Sequence, residues 1–310
     1  MTKPGWTLDD IAWERFDPSK VDQDLLMAVK AASVVEYNAR DYVGYLKAVF
    51  PGDAAMHAIF EQWGHEETQH GLALGRWVKL ADPEFDFEAT FKAFREGYKP
   101  PHFEDADGSV RGSKRGELIA RCVVESGTTS YYSAMRDATE EPVLKQIAAH
   151  IAGDEMRHWR LFYDLQHAQA EPELGFWKKL RIAAGRLGEA EDDELAYAYY
   201  CANTPIDRIG IDPYDRKVCA KAYETRLLRL WQPRHLDRAV GMIAAAVGMR
   251  PRGWVSRTAS RLIWTAVKFK NRGALRQEAR AARHRFFDQP LLDAYFAYLR
   301  HPFGAEPKMD

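Results

Sequence analysis

Apolar residues recur along most of the chain three and four positions apart, the period of a helix that buries one side, and no stretch alternates as a half-buried strand would. The pattern predicts long helices over residues 21–49, 54–81, 115–138 and 142–169. The stretch "FPGD" at 50–53 separates the first two, with Asp53 placed to cap the second. "TEEP" at 139–142 separates the other two, with Pro142 suited to a first helical turn. Each pair therefore reads as an antiparallel hairpin. A short helix and a polar Pro- and Gly-rich loop fill 82–116, and helical patterns resume after about 172. The predicted fold class is all-α: a four-helix bundle within residues 1–205, and a helical C-terminal extension over 206–310 packed on it.

The apolar faces carry an unexpected set of polar residues. Glu36 shares a stripe with Val29, Ala32, Ala39 and Val43, and Glu125 shares one with Leu118, Cys122, Thr129 and Tyr132. The second helix of each hairpin carries Glu-x-x-His, as Glu67 with His70 and Glu155 with His158. Residues three apart project from the same side of a helix, so carboxylate and imidazole point together. Glu36 and Glu67 are 31 residues apart with their midpoint inside "FPGD", and Glu125 and Glu155 are 30 apart with theirs inside "TEEP". Equidistance from a turn puts both sets at one height, about 20 Å from the turns at 1.5 Å per residue.

A single Glu-x-x-His would signify no more than a surface ion pair. Two copies, each with an upstream Glu at matched depth on an apolar face, point to a metal site, because buried carboxylates need a neutralising partner. Four Glu and two His form an oxygen-rich set for two divalent ions, the arrangement of ferritin-like di-iron or di-manganese bundles. "HEETQH" is not a zinc-protease motif, since His65 and His70 are five residues apart and fall on different faces. Glu61 and Glu66 read as solvated residues or as supports to the ligands.

Composition changes little in this picture. The chain of 310 residues is 46% hydrophobic and 29% charged with net charge −1. The three cysteines include no CxxC pair, the N-terminal stretch lacks a signal-peptide pattern, and both features suit a cytoplasmic location. Charge is uneven: between Arg250 and Arg285 eleven Lys and Arg face one Glu, while the remainder is acidic. This basic segment reads as a dock for an acidic carrier protein, as a peripheral contact with an anionic membrane, or as a packed helix with a solvated basic face. An acidic body without a reading motif argues against nucleic acid.

The motifs "EETQHG" and "GDEMRH", with "ESGTTSYYSAMRDATEEPVLKQIAAHIAGDEMRH", resemble those of the soluble acyl-acyl carrier protein desaturases of the ferritin-like superfamily, over about residues 20–170. The resemblance implies an oxygen-activating centre of two iron ions, or of manganese, held by Glu36, Glu67, His70, Glu125, Glu155 and His158. It further implies a homodimer, a ferredoxin-like external electron donor, and a lipid-like or acyl-carrier-bound substrate. Thr128 matches the family threonine near the oxygen-binding face, with Thr129 as a rival, and Asp154 matches an acid that orients a ligand histidine. Trp13 resembles an N-terminal tryptophan on the family's electron path. Gln69 and Tyr37 depart from the pattern, which usually has Arg and a second acid there, and the departures weaken the substrate reading more than the scaffold.

Two outcomes of oxygen chemistry stay open, desaturation and hydroxylation, with Tyr131, Tyr132, Trp63, Trp77 and Phe162 as candidate walls of a slot for an apolar chain. The alternative is an iron-oxidising or peroxide-scavenging protein of ferritin or rubrerythrin kind. Such chains are compact bundles or carry a Cys-rich module, whereas this one has a long extension without it. A third reading is a radical-generating subunit using a tyrosine such as Tyr132.

Overall fold

The computed structural model describes residues 5–98, 108–189 and 193–286, with side chains as far as residue 270 except at Asp193. Among the described residues the chain is helical, and its one β contact is an isolated bridge between Ile209 and Asp212. The helices are α1 (Gln23–Tyr37), α2 (Ala39–Val49), α3 (Ala54–Ala81), α4 (Phe87–Gly97), α5 (Lys114–Ala138) and α6 (Pro142–Ala168). They are followed by α7 (Phe176–Gly188), α8 (Asp193–Asn203), α9 (Arg216–Leu230), α10 (Pro233–Ala246) and α11 (Trp254–Phe286). The all-α expectation holds. No helix among the described residues is long and apolar enough to cross a membrane.

The four helix starts that frame the bundle are capped by their own sequence. Asp22 accepts from the Leu25 amide, Asp53 from Met56, Ser113 from Gly116, and Glu141 from Val143 and Leu144. Glu141 is fully buried and also accepts from the Trp77 indole and the Asp17 amide, so the turn at 139–142 is tied to the neighbouring hairpin. As predicted, α5 and α6 form a hairpin, α1 and α2 face α3, and α3 meets α6.

One expectation needs correcting. The continuous helix read over 21–49 is two helices broken at Asn38, whose amide bonds the Val35 carbonyl instead of the carbonyl four residues back. Asn38 is buried, and its side chain donates to Glu194 of α8 and accepts from Arg95 of α4. Those side-chain bonds anchor Asn38 at the break, and asparagine has little helix preference to lose. The break follows Glu36 by two residues.

Side-chain packing forms two large apolar clusters with a polar layer between them. One holds Leu25, Val29, Leu74, Trp77, Met135 and Ile147, and the other Leu46, Phe50, Phe60, Leu118, Cys122 and Phe162. On every helix of the bundle Glu36, Glu67, Glu125 and Glu155 lie between the stretches that feed the two clusters. Each fully buried Phe or Leu is worth about 1.5–3 kcal/mol, so the layer is clamped from both sides. Cys122 is the small buried hydrophobe expected.

Contacts divide the chain into a unit ending at Trp264 and a second unit from Thr265, within which α11 continues to Phe286. Of the basic segment at 250–285, the side chains past residue 270 lie outside the described residues. Within the first unit Val255, Leu262 and Ile263 are exposed, and the buried positions of α11 are Ser256 and Ser260.

Gly71 marks the closest approach of α3 to α1. A Cβ there would lie 2.5 Å from the Tyr37 backbone nitrogen, so the helices can touch only because residue 71 has no side chain. Gly71→Ala should therefore destabilise the protein by about 1–3 kcal/mol, read from urea denaturation, because two helix backbones must separate.

Candidate metal centre

The six predicted ligands come together. Glu36, Glu67, His70 and Glu155 each offer an atom to one group, and Glu67, Glu125, Glu155 and His158 to another, with the atoms of each group within 4.8 Å of one another. Glu67 and Glu155 belong to both groups. The two sites therefore share a pair of carboxylates, one from each hairpin, and each adds a Glu and a His of its own. The imidazole centroids of His70 and His158 are 5.9 Å apart.

Within this layer His70 Nδ1 lies 3.3 Å from Glu155 and 3.7 Å from both Glu36 and Glu67. His158 Nδ1 lies 3.0 Å from Glu67 and 3.9 Å from Glu125. The outward nitrogens are held by acids: His70 Nε2 lies 3.0 Å from Asp154, and His158 Nε2 lies 2.9 Å from Glu66. Asp154 immediately precedes Glu155, and Glu66 immediately precedes Glu67, so each hairpin supplies the acid that orients the other hairpin's histidine. Asp154 was predicted for this role. Glu66, which the sequence allows as a solvated residue or a support, takes the supporting place, and its position, equivalent to that of Asp154 in the repeated motif, is the signal for it. His65 is exposed and Glu61 pairs with Lys47, as expected of residues outside the site.

A divalent ion fits the donor set. His70 Nδ1, His158 Nδ1, Glu125 Oε1 and Glu155 Oε1 are buried without a hydrogen-bond partner. Orphaned polar atoms in a protein interior are costly, and four of them converge on the two groups. Inward Nδ1 with Nε2 held by a carboxylate is the disposition of a metal-bound imidazole.

The two threonines differ. Thr128 Oγ1 donates to Glu155, one of the shared carboxylates, whereas Thr129 is buried and donates back to the Glu125 carbonyl at 2.6 Å. Tyr132 donates to Glu36. The five aromatics proposed as walls of a slot pack in the apolar clusters, Tyr131, Tyr132 and Trp77 in one and Trp63 and Phe162 in the other. Outside His158 a hollow of about 320 Å³ is lined by Ile59, Trp63, Leu161 and Glu66.

At the N-terminus a different tryptophan reaches the centre from the one read in the sequence. Trp13 donates to the Leu8 carbonyl and lies under Arg76. Trp6 instead donates to Asp154 at 2.7 Å and stacks on His70 with an interplanar angle of 2°. Gln69, which departs from the resembled motif, donates to the Trp6 carbonyl at 2.8 Å and so fixes this segment. No helical pattern covers residue 6, and nothing local in the sequence marked it.

Without a metal the layer is short of positive charge and balances itself with protons. Burial, then the charge of Glu67, raises the Glu36 carboxyl from 4.5 to about 8. Burial, then Glu155, pushes Glu125 upward as well. Burial opposes charging of both histidines, but Asp154 and Glu155 beside His70, and Glu66 and Glu67 beside His158, outweigh it and raise both imidazoles. Burial likewise opposes ionisation of Glu67, and the two imidazoles overcome it and hold that carboxyl low.

Comparison of the chain with protein-family models finds no match, and comparison with curated proteins finds none either.

These shifts predict a pH dependence. The folded metal-free protein keeps a proton on Glu36 that the unfolded chain releases above 4.5, so this group's contribution to stability is complete below 4.5 and falls until about pH 8. The raised histidines act in the same sense at higher pH, while Glu67 acts only in the acid range. Thermal melts of metal-free protein should accordingly fall in midpoint from mildly acid to mildly alkaline pH. A divalent ion displaces these protons, so loading should release acid and flatten the slope, as followed by calorimetry in two buffers of different ionisation enthalpy.

Proposed function

We propose that the protein is an oxygen-dependent di-iron oxidoreductase, a desaturase or hydroxylase of a fatty-acyl or other lipid-like substrate, built on a ferritin-like bundle. One observation carries this reading: two four-residue groups of buried Glu and His that overlap in Glu67 and Glu155. Donors rich in carboxylate with one imidazole per ion suit iron, and manganese as its substitute, better than a softer metal. Glu67 and Glu155 would bridge, Glu36 and His70 would complete one ion's shell, and Glu125 and His158 the other's. When bound, the pair of ions would supply oxygen activation at the expense of electrons from outside.

The surrounding residues have roles that follow from their contacts. Asp154 and Glu66 hold each imidazole with Nδ1 inward, and Tyr132 does the same for Glu36. Thr128 fixes one oxygen of Glu155 and provides a hydroxyl beside the centre that can carry a proton. The clusters above and below exclude water from the layer, which strengthens every charge interaction within it. The chain from Trp6 through Asp154 to His70 offers a bonded route for electrons from a ferredoxin-like donor. A homodimer and a carrier-bound form of the substrate belong to the same proposal.

A second reading, an iron-oxidising or peroxide-scavenging protein, is favoured by one observation. Four of the aromatics read as walls of a slot, Tyr131, Tyr132, Trp77 and Phe162, are packed in the core clusters, and Trp63 alone of the five borders the hollow outside His158. Anaerobic loading with ferrous iron, exposure to oxygen with lipid extracts, and mass spectrometry separate the two. Loss of two hydrogens marks desaturation and gain of one oxygen marks hydroxylation. Iron oxidation without any altered lipid sinks the oxidoreductase reading in favour of the second.

The overlap also predicts a metal count. Glu67→Ala or Glu155→Ala should abolish binding of both ions, because each residue serves both groups. Glu36→Ala and Glu125→Ala should each leave one ion bound, in elemental analysis of reconstituted protein. Equal losses in all four variants would contradict shared carboxylates.

A further inference from the structure

Two helices outside the bundle turn apolar side chains to solvent. On α7, Lys179, Ile182 and Ala183 face inward, while Phe176, Trp177, Leu180 and Leu187 are exposed, Trp177 by 77% and Leu187 by 52%. At 100° per residue these four share one arc of about 100°, with Arg181 and Lys178 following on its flank. The start of α11 repeats the design: Trp254 and Leu262 are 75% and 67% exposed, Val255 lies beside Leu262 on the same arc, and Arg257 and Arg261 form the flank next to Trp254. The α7 helix and the segment leading into α11 share a small apolar cluster. Ala183 of α7 packs on Val247 with Met249 against them, and the chain then passes through Pro251 and Gly253 into α11.

We infer that these two faces together form a surface that docks on an anionic lipid bilayer. Tryptophan, phenylalanine and leucine on one arc with Lys and Arg beside it is the composition of a helix lying in a membrane interface, and no transmembrane span is needed. Charge identifies the occupant. Lys178, Arg181, Arg250, Arg252 and Arg257 are exposed, and none is paired with a carboxylate among the described residues. Neither α7 nor the stretch Trp254–Trp264 contains an acidic residue. A second copy of the chain meeting this face through itself would offer arginines to arginines. Anionic headgroups accept the cations while the aromatic and leucine side chains enter the acyl boundary. The inference rests on surface chemistry and stands or falls independently of the metal centre.

The test is co-flotation of the full-length chain with vesicles of phosphatidylcholine alone and of phosphatidylcholine mixed with phosphatidylglycerol. Binding is expected on the mixed vesicles, weakened by salt, and absent on the neutral ones. Arg181→Gln and Arg257→Gln should each reduce partitioning roughly fivefold. Trp177→Ser with Trp254→Ser should abolish it, with far-ultraviolet dichroism and the urea midpoint unchanged, since all four residues are exposed. No flotation with anionic vesicles, or equal flotation with neutral ones, overturns the inference. So does dissociation of a native dimer by the tryptophan variants without any vesicle binding, which would make the face a contact between copies.

Discussion

The structure depends on burying four carboxylates and two imidazoles in one layer between two apolar clusters. Such a layer is unfavourable by itself: an ionised carboxylate removed from water costs several kcal/mol even after relaxation. The protein meets this by pairing unlike charges, by raising Glu36 and Glu125 toward their neutral forms, and by holding His70 and His158 charged. Those protons supply positive charge that a divalent ion could supply instead. The same interior that penalises the layer thus prepares it for ions, because a divalent ion relieves like-charge repulsion between carboxylates and satisfies the orphaned nitrogens and oxygens at once. Apolar clamping above and below prevents the easier solution, which would be to let the layer open to water.

The register of this layer was legible because it depends on local rules. Helix rise is constant, a hairpin equates depth with distance from its turn, and the turns at 50–53 and 139–142 are punctuated by Pro, Gly and Asp. The convergence of all six side chains follows from these facts together with the apolar stripes. What was not legible depends on partners distant in sequence. Asn38 at the helix break is held by Glu194 and Arg95, 156 and 57 residues away, and no periodicity within 21–49 could announce these partners. Trp6 reaches Asp154 across 148 residues from a segment without a helical pattern. The outward apolar arc of α7 was not legible, and for the α11 segment a membrane contact was one of three open readings, because a hydrophobic stripe tells which residues share a face and only packing tells where that face points.

The two hairpins are equivalent in motif, and the equivalence is functional in one respect. Acid-Glu-x-x-His places an acid one residue before a shared ligand, and it meets the opposite hairpin's histidine. Neither hairpin can orient its own imidazole this way, so the layer forms only when both are docked. Ligand geometry and α3–α6 packing are then a single event, and the contacts that orient the ligands also report that the bundle has closed.

The surroundings break that equivalence. Asp154 has a side chain only 2% exposed, sealed by the Trp6 indole and by Arg157 at 2.6 Å, whereas Glu66 is 26% exposed and borders the hollow outside His158. Coulombic coupling grows as water is excluded, so the bond from Asp154 holds His70 more firmly than Glu66 holds His158. Gln69 strengthens the seal by anchoring Trp6, and it does so from the very position at which the motif departs from the family it resembles. An N-terminal segment without regular helix thereby becomes part of the wall of the cluster, and the two Glu/His groups, alike in composition, differ in their access to water.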